Sequence, residues 1–90
     1  MIPLVARFPA LERIPRVSLG SFPSPVERYV ITSGSELWIK RDDLNAPAFG
    51  GNKVRSLEYL LARVRPGDAV LTIGGVGSTH VLTTAAHARA

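Results

Sequence analysis

Apolar residues divide the second half of the chain into two segments typical of strands and two typical of helices. Residues 37–40 and 69–73 are short and rich in aromatic or branched side chains, as strands are. A helix is predicted between them, starting near Asn52 or Lys53 and stopping before a Pro-Gly pair. Its apolar positions have the spacing of one helix face: Val54, Leu57, Leu60, Leu61 and Val64. A second helix is predicted from about Thr79 to the end of the sequence.

The order of these segments is strand, helix, strand, helix, which predicts an α/β fold with a parallel sheet. Residues 69–73 are nearly all apolar, as in a strand that is buried on both faces of its sheet. Two strands and two helices cannot cover both faces of such a sheet. We therefore expect this βαβα unit to belong to a larger domain or to need a partner.

The first 35 residues have a different character, because five prolines and two glycines interrupt them. Proline lacks a backbone donor and biases the preceding residue towards extended backbone. The sequence therefore predicts an arm with short elements over residues 1–35 and a βαβα unit over residues 36–90. Within the arm, residues 26–31 fit a short helix or a strand, and their periodicity does not decide between the two.

Composition narrows the possible functions. The chain has 90 residues, 46% hydrophobic and 20% charged, which fits one small folded domain. Its net charge is +4, but the arginines are scattered and form no basic run, so we expect no nucleic-acid partner. Without cysteine, and with only His80 and His87 as histidines, no metal site is predicted. The sequence contains neither a signal peptide nor a membrane span of ~20 apolar residues, so a cytoplasmic location and no membrane partner are expected.

The strongest candidate for chemistry is Lys53, which follows the glycine pair in Gly50-Gly51-Asn52-Lys53. The glycines allow close approach of the backbone to a planar group. A helix N-terminus disfavours the ammonium form, which makes the free amine available as a nucleophile. Arginine could not replace this lysine, because a guanidinium stays protonated. From the spacing alone, however, a solvated lysine in the first turn of a helix is the simpler interpretation.

A glycine-rich turn, residues 74–78, precedes the second helix. Free amides and hydroxyls at a helix N-terminus predict an anion site, suited to a phosphate or a substrate carboxylate. Ser78 or Thr79 can also cap the helix, and both roles are compatible. The turn matches neither the dinucleotide-binding fingerprint nor the P-loop. His80 could contact a carboxylate, although alone it is an ordinary helix residue, and no role is assigned to His87.

Several segments together resemble the N-terminal part of the pyridoxal-phosphate enzymes of the tryptophan synthase β-like fold. The nearest group is that of the D-cysteine desulfhydrases and aminocyclopropane-carboxylate deaminases. The matching segments are FPSPVE at 22–27, WIKRDDL at 38–44, FGGNKVR at 49–55, LEYL at 57–60, and IGGV at 73–76 followed by Ser78. The resemblance implies a partial three-layer parallel sheet of fold type II, incomplete in this chain. It covers about the first quarter to third of an enzyme of roughly 300 residues.

The resemblance also implies roles for individual residues. Lys53 would form the Schiff base with pyridoxal 5′-phosphate and then move the α-proton of the substrate. Asn52 would be a neighbour of the cofactor. Ser78, Thr79 and His80 would grip the substrate carboxylate, with Ser78 also close to the reacting atoms. Thr79 stands where many members carry an asparagine that bonds the cofactor's ring hydroxyl, and Ser56 stands where many carry a lysine near its phosphate.

The implied function is elimination or deamination of a small amino acid by an enzyme of which this chain is the N-terminal portion. The partner would be the C-terminal part of the same enzyme or further copies of the chain, and the 90 residues alone are expected to be inactive. Two alternatives stay open. One is a non-catalytic fragment or interaction module that pairs through its sheet edge. The other is a small nucleotide-binding βαβ unit that uses the glycine-rich turn.

Overall fold

The computed structural model describes residues 3–89. The predicted end of the last helix and of the βαβα unit at Ala90, and the start of the arm at Met1, lie outside the described residues. In chain order the elements are α1 (Pro3–Arg7), a 3-10 helix (Pro9–Arg13), β1 (Val26–Val30), β2 (Glu36–Lys40), a second 3-10 helix (Asp42–Leu44), α2 (Lys53–Leu60) and α3 (Thr79–Arg89).

The sheet is an antiparallel hairpin of β1 and β2. Glu27 lies opposite Ile39 and Tyr29 lies opposite Leu37. The turn between the strands is closed by the amide of Ile31, which donates to the carbonyl of Ser35 at 3.0 Å. The predicted strand at residues 37–40 is therefore confirmed, and the ambiguous segment 26–31 is a strand. The boundary between the arm and the βαβα unit, after residue 35, stays a prediction. It falls between the two strands of the hairpin, β1 and β2.

The predicted strand at residues 69–73 is not formed, and this corrects the expectation of a parallel sheet within residues 3–89. A strand exists only when a neighbour satisfies its backbone donors and acceptors. In the described part of the chain β2 pairs with β1, and segment 69–73 has no strand beside it. Leu71 and Ile73 are consequently 88% and 86% exposed. The general α/β class is confirmed, in the form of a small antiparallel sheet with helices.

Helix α2 begins at Lys53, as its pattern predicts, but ends at Leu60, well before the Pro-Gly pair. Beyond Leu60 the backbone continues as tight turns, in which the amide of Val64 donates to the carbonyl of Leu61 at 3.0 Å. Val54 and Leu57 are buried, whereas Leu60 points largely into solvent. The apolar core of the described residues is correspondingly small and consists of Ala46, Val54 and Leu57.

A buried carboxylate fastens the N-terminal arm to α2. Glu58 accepts two hydrogen bonds from the Arg16 guanidinium, at 2.7 and 3.0 Å, and one from the Leu19 amide at 2.8 Å. Its carbonyl also accepts from the amide of Val17 at 2.8 Å. A buried charge is tolerated only when it is paired and hydrogen-bonded, and these donors meet that condition. The arm therefore has a fixed course over α2.

None of the helices found in residues 3–89 has the length and apolar character that crossing a membrane requires.

Candidate functional site

Lys53 is the first residue of α2 and is half-buried. Its carbonyl accepts a hydrogen bond from the Ser56 hydroxyl at 3.0 Å. Within residues 3–89, no hydrogen bond or ion pair engages the Lys53 ammonium. The side chain thus starts from a fixed backbone position while its amine keeps its capacity to react. The loop that leads into α2, residues 42–52, is called the lysine loop below.

Asn45 shapes the lysine loop from inside. Its side chain is buried, donates to the carbonyl of Gly51 at 2.9 Å and accepts from the Gly51 amide at 3.1 Å. Gly51 has a φ of +132°, a backbone conformation that favours glycine. A Cβ on Gly50 would collide with the carbonyl of Asp43, so the loop closes on itself at this point. Both glycines therefore have a structural role in the loop, and close approach of a planar cofactor to them stays a prediction.

Asp42 braces the same loop through its side chain and its carbonyl. The carboxylate accepts from Arg55 at 2.8 and 3.2 Å and from the Ser24 hydroxyl at 2.5 Å, and the carbonyl accepts from the Gly51 amide at 2.8 Å. Arg55 and then Ser24 lower the pKa of Asp42 from 3.8 to about 2, and the same bond raises the pKa of Arg55. These contacts give Asp42 a structural role in the lysine loop.

His87 reaches the lysine loop from α3. It is buried, and its Nε2 lies 2.9 Å from the carbonyl oxygen of Phe49, directly before the glycine pair. A carbonyl oxygen can only accept, so Nε2 carries the proton in this bond. No role for His87 was expected from the sequence, and its contact with the lysine loop is visible only in the structure.

The glycine-rich turn before α3 positions Ser78 as the helix cap. The Ser78 hydroxyl accepts from the amide of Val81 at 3.4 Å, three residues into the helix. Gly74 allows this approach, because a Cβ there would lie 2.6 Å from Val81 Cγ2 and 2.8 Å from Ser78 Oγ. Gly77 has a φ of +82°. Of the two residues predicted to cap α3, Ser78 is the one that does so.

The other predicted site residues lie at the starts of the same two helices. Asn52 immediately precedes α2, is exposed, and makes no side-chain bond to the helix. Thr79 and His80 form the first turn of α3, where their carbonyls accept from the hydroxyls of Thr83 and Thr84 at 2.6 and 2.7 Å. Helices α2 and α3 pack against each other. Among residues 3–89, no hydrogen bond links Asn52 or Lys53 to Thr79 or His80.

Three residues that sequence reasoning missed organise this region: Asn45, Glu58 and His87. Each is polar and buried, and each bonds to a backbone group distant in the chain. The available signal was weak. His87 shares one face of α3 with Thr83 and Thr84, so three polar side chains lie where an apolar face is expected.

Known enzymes share this stretch of sequence. A bifunctional D-cysteine desulfhydrase/1-aminocyclopropane-1-carboxylate deaminase of Arabidopsis thaliana is 45% identical over 73 residues, which are 76% of this chain and 18% of that protein. A putative 1-aminocyclopropane-1-carboxylate deaminase of Pyrococcus furiosus is 40% identical over 79 residues, covering 82% and 24%. A D-cysteine desulfhydrase of Salmonella newport is 46% identical over 81 residues, covering 84% and 25%.

These similarities confirm the resemblance inferred from the motifs, and the match lies in the N-terminal fraction of the relatives. The chain spans about a fifth to a quarter of their length. No family model matches the chain. No solved structure matches it either.

Proposed function

We propose that this chain is the N-terminal portion of a pyridoxal-phosphate-dependent lyase or deaminase that acts on a small amino acid. The observation that carries the proposal is the position of Lys53. It is the first residue of a helix, it follows a loop braced by Asn45 and Asp42, and its amine has no partner in the described residues. Covalent chemistry needs an amine that is held in one place and is free to react.

The residues fit the aldehyde end of pyridoxal 5′-phosphate. Lys53 would bind the cofactor covalently, Asn52 lies next to it in the chain, and Thr79 would contact the cofactor from the start of α3. When bound, this cofactor withdraws electrons from the α-carbon of an amino acid. Lys53 would then move the α-proton, because a lysine released from its covalent bond is a base at the same position.

Ser78, Thr79 and His80 would bind the substrate carboxylate. The Ser78 oxygen accepts from the Val81 amide, which leaves its hydroxyl proton available for a substrate oxygen. The first amides of α3 add further donors, and the helix dipole favours an anion there. In this arrangement one helix start holds the reactive amine and the neighbouring helix start orients the substrate.

In the complete enzyme, residues 69–73 would become a strand of a parallel sheet of fold type II. Their exposure supports this, since Leu71 and Ile73 have the composition of a buried strand but no cover. The C-terminal part of the enzyme or a second copy of the chain would supply the neighbouring strands. A cytoplasmic location stays a prediction.

The proposal is tested by identifying the lysine that binds the cofactor in the intact protein that carries this sequence. The protein is incubated with pyridoxal 5′-phosphate, reduced with borohydride, digested, and mapped by mass spectrometry. We expect the cofactor on Lys53, complete loss of the label in Lys53→Arg, and an unchanged label in the matched variant Lys40→Arg. A label that lies mainly on Lys40 or on another lysine, and not on Lys53, would contradict the assignment.

A further inference from the structure

We propose that His87 is a positioning residue for Lys53, because it pins the lysine loop to α3 through the Phe49 carbonyl. The inference rests on the proposed role of Lys53. His87 is 6% exposed, and its 2.9 Å bond to Phe49 joins residues that are 38 positions apart in the chain. The bond therefore connects two elements that the local sequence does not connect.

The glycine pair explains why the lysine loop needs a contact such as the one between His87 and Phe49. Glycine has more backbone conformations available than any other residue, so Gly50 and Gly51 would let the loop vary just before Lys53. Asn45 removes this freedom on one side by bracketing the Gly51 peptide. His87 removes it on the other side by fixing Phe49. Together the two contacts confine both glycines between fixed points.

The same bond relates the lysine to the proposed carboxylate site. Ser78 caps the start of α3, and His87 lies nine residues further along, about 13 Å of helix at 1.5 Å per residue. Because a helix of this length is stiff, fixing His87 on the lysine loop also fixes how the start of α3 stands relative to Lys53. The buried hydroxyls of Thr83 and Thr84 bond only to carbonyls of α3 itself, so they provide no such link.

The test compares three variants of the intact protein that carries this sequence. His87→Leu removes the donor but keeps most of the volume, and His87→Gln keeps an N–H that can reach the Phe49 carbonyl. Thr84→Val is the matched control, because it alters a buried polar residue of α3 whose hydroxyl bonds to the His80 carbonyl of the same helix. Two quantities are measured. The first is hydrogen exchange of the amides of residues 50–54, and the second is the rate at which pyridoxal 5′-phosphate with borohydride labels Lys53 relative to Lys40.

For His87→Leu we expect exchange in residues 50–54 to rise about tenfold and Lys53 labelling relative to Lys40 to fall by a similar factor, as for one lost buried hydrogen bond. His87→Gln should stay within about twofold of the unmodified protein in both measurements, as should Thr84→Val.

The proposal is overturned by unchanged exchange in His87→Leu, by an equal effect of Thr84→Val, or by no rescue with glutamine. It is also overturned if exchange rises while relative labelling of Lys53 stays constant, since His87 would then brace the loop without positioning the amine. Absence of any Lys53 label in the unmodified protein contradicts the proposed function instead. If His87→Leu does not fold, His87→Gln keeps the proposal falsifiable, because a tenfold change in either measurement for that variant would overturn it.

Discussion

The Asn45 side chain stabilises the lysine loop through two hydrogen bonds to Gly51. Replacing it by leucine keeps the volume but leaves both polar groups of the Gly51 peptide without their side-chain partner. We expect Asn45→Leu to lower the free energy of unfolding by about 1–3 kcal/mol, at about 0.5–1.5 kcal/mol for each lost hydrogen bond, because the Gly51 amide keeps its bond to the Asp42 carbonyl. Urea unfolding of the intact protein measures this.

Asn52→Ala is the control for Asn45, because Asn52 is exposed and makes no side-chain bond to α2. In Asn52→Ala the free energy of unfolding should change by no more than about 0.5 kcal/mol. If Asn45→Leu and Asn52→Ala lowered the free energy of unfolding equally, the hydrogen bonds between Asn45 and Gly51 would make no specific contribution.

Asp42 makes part of the stability depend on pH. Its pKa is lowered from 3.8 to about 2 by Arg55 and Ser24, so the folded state favours the ionised form. The contribution is complete above pH 4 and is lost as pH falls through 2. The Asp42 side chain is 23% exposed and that of Arg55 is 44% exposed, so solvent screening limits the contribution to about 1 kcal/mol.

Urea unfolding between pH 2 and pH 6 should therefore show Asp42→Asn to be less stable than the unmodified protein at pH 6 and nearly equal to it at pH 2. Glu12→Gln is the control, since its carboxylate is exposed and makes no hydrogen bond or ion pair within residues 3–89. A difference between Asp42→Asn and the unmodified protein that stays constant over this range would rule out the linkage.

Single residues were predictable from the sequence only where they stand in a motif. Lys53 and Ser78 follow glycines at loop-to-helix transitions, and the structure has them at those transitions. The side chains of Asn45, Glu58 and His87 bond to backbone groups 6 to 39 positions away. Bonds between a side chain and a distant backbone leave no periodic or compositional trace, so these residues become visible only in the folded structure.

Helix α3 depends on the turn before it, and two adjacent glycines provide a matched test. A Cβ at Gly74 would lie 2.6 Å from Val81 and 2.8 Å from Ser78, whereas a Cβ at Gly75 meets nothing within 4 Å. We expect Gly74→Ala to destabilise the start of α3 by about 1–3 kcal/mol, the cost of overpacking. Gly75→Ala should be neutral or slightly stabilising, because it reduces the freedom of the unfolded chain. Hydrogen exchange of the amides of residues 81–84 distinguishes these outcomes, and equal effects would contradict the steric argument.

Whole elements were predictable to the extent that their pattern is local. Both longer helices begin where capping and spacing predict, because helix bonds join residues close in the chain. Residues 69–73 have the composition of a strand but lack a neighbour in residues 3–89, and β2 is paired with β1 instead. A strand is a property of two segments, so one segment's composition cannot decide whether it forms.

The molecule as a whole exposes more apolar surface than a small domain usually does. Trp38, Leu71 and Ile73 are all more than half exposed. Leu71 and Ile73 lie two residues apart in one segment, and exposed apolar side chains that lie close together favour association. We expect the 90-residue chain to self-associate in sedimentation velocity at micromolar concentration, and the double variant Leu71→Lys, Ile73→Lys to reduce the associated fraction. The double variant Ser33→Lys, Ser35→Lys adds the same charge at the hairpin turn and should leave association unchanged. A compact monomer in all three cases would contradict this expectation.

The contact of Glu58 with the arm also has a consequence in time. Arg16 and Leu19 leave the ribosome 42 and 39 residues ahead of the carboxylate that fixes them. At 5–20 residues per second, translation separates the two events by roughly 2 to 8 seconds. During that interval Arg16 and Leu19 lack the carboxylate that fixes them, and this part of the arm takes its final course only when α2 emerges. Residues 16–19 are therefore synthesised before α2 but take their final course after it.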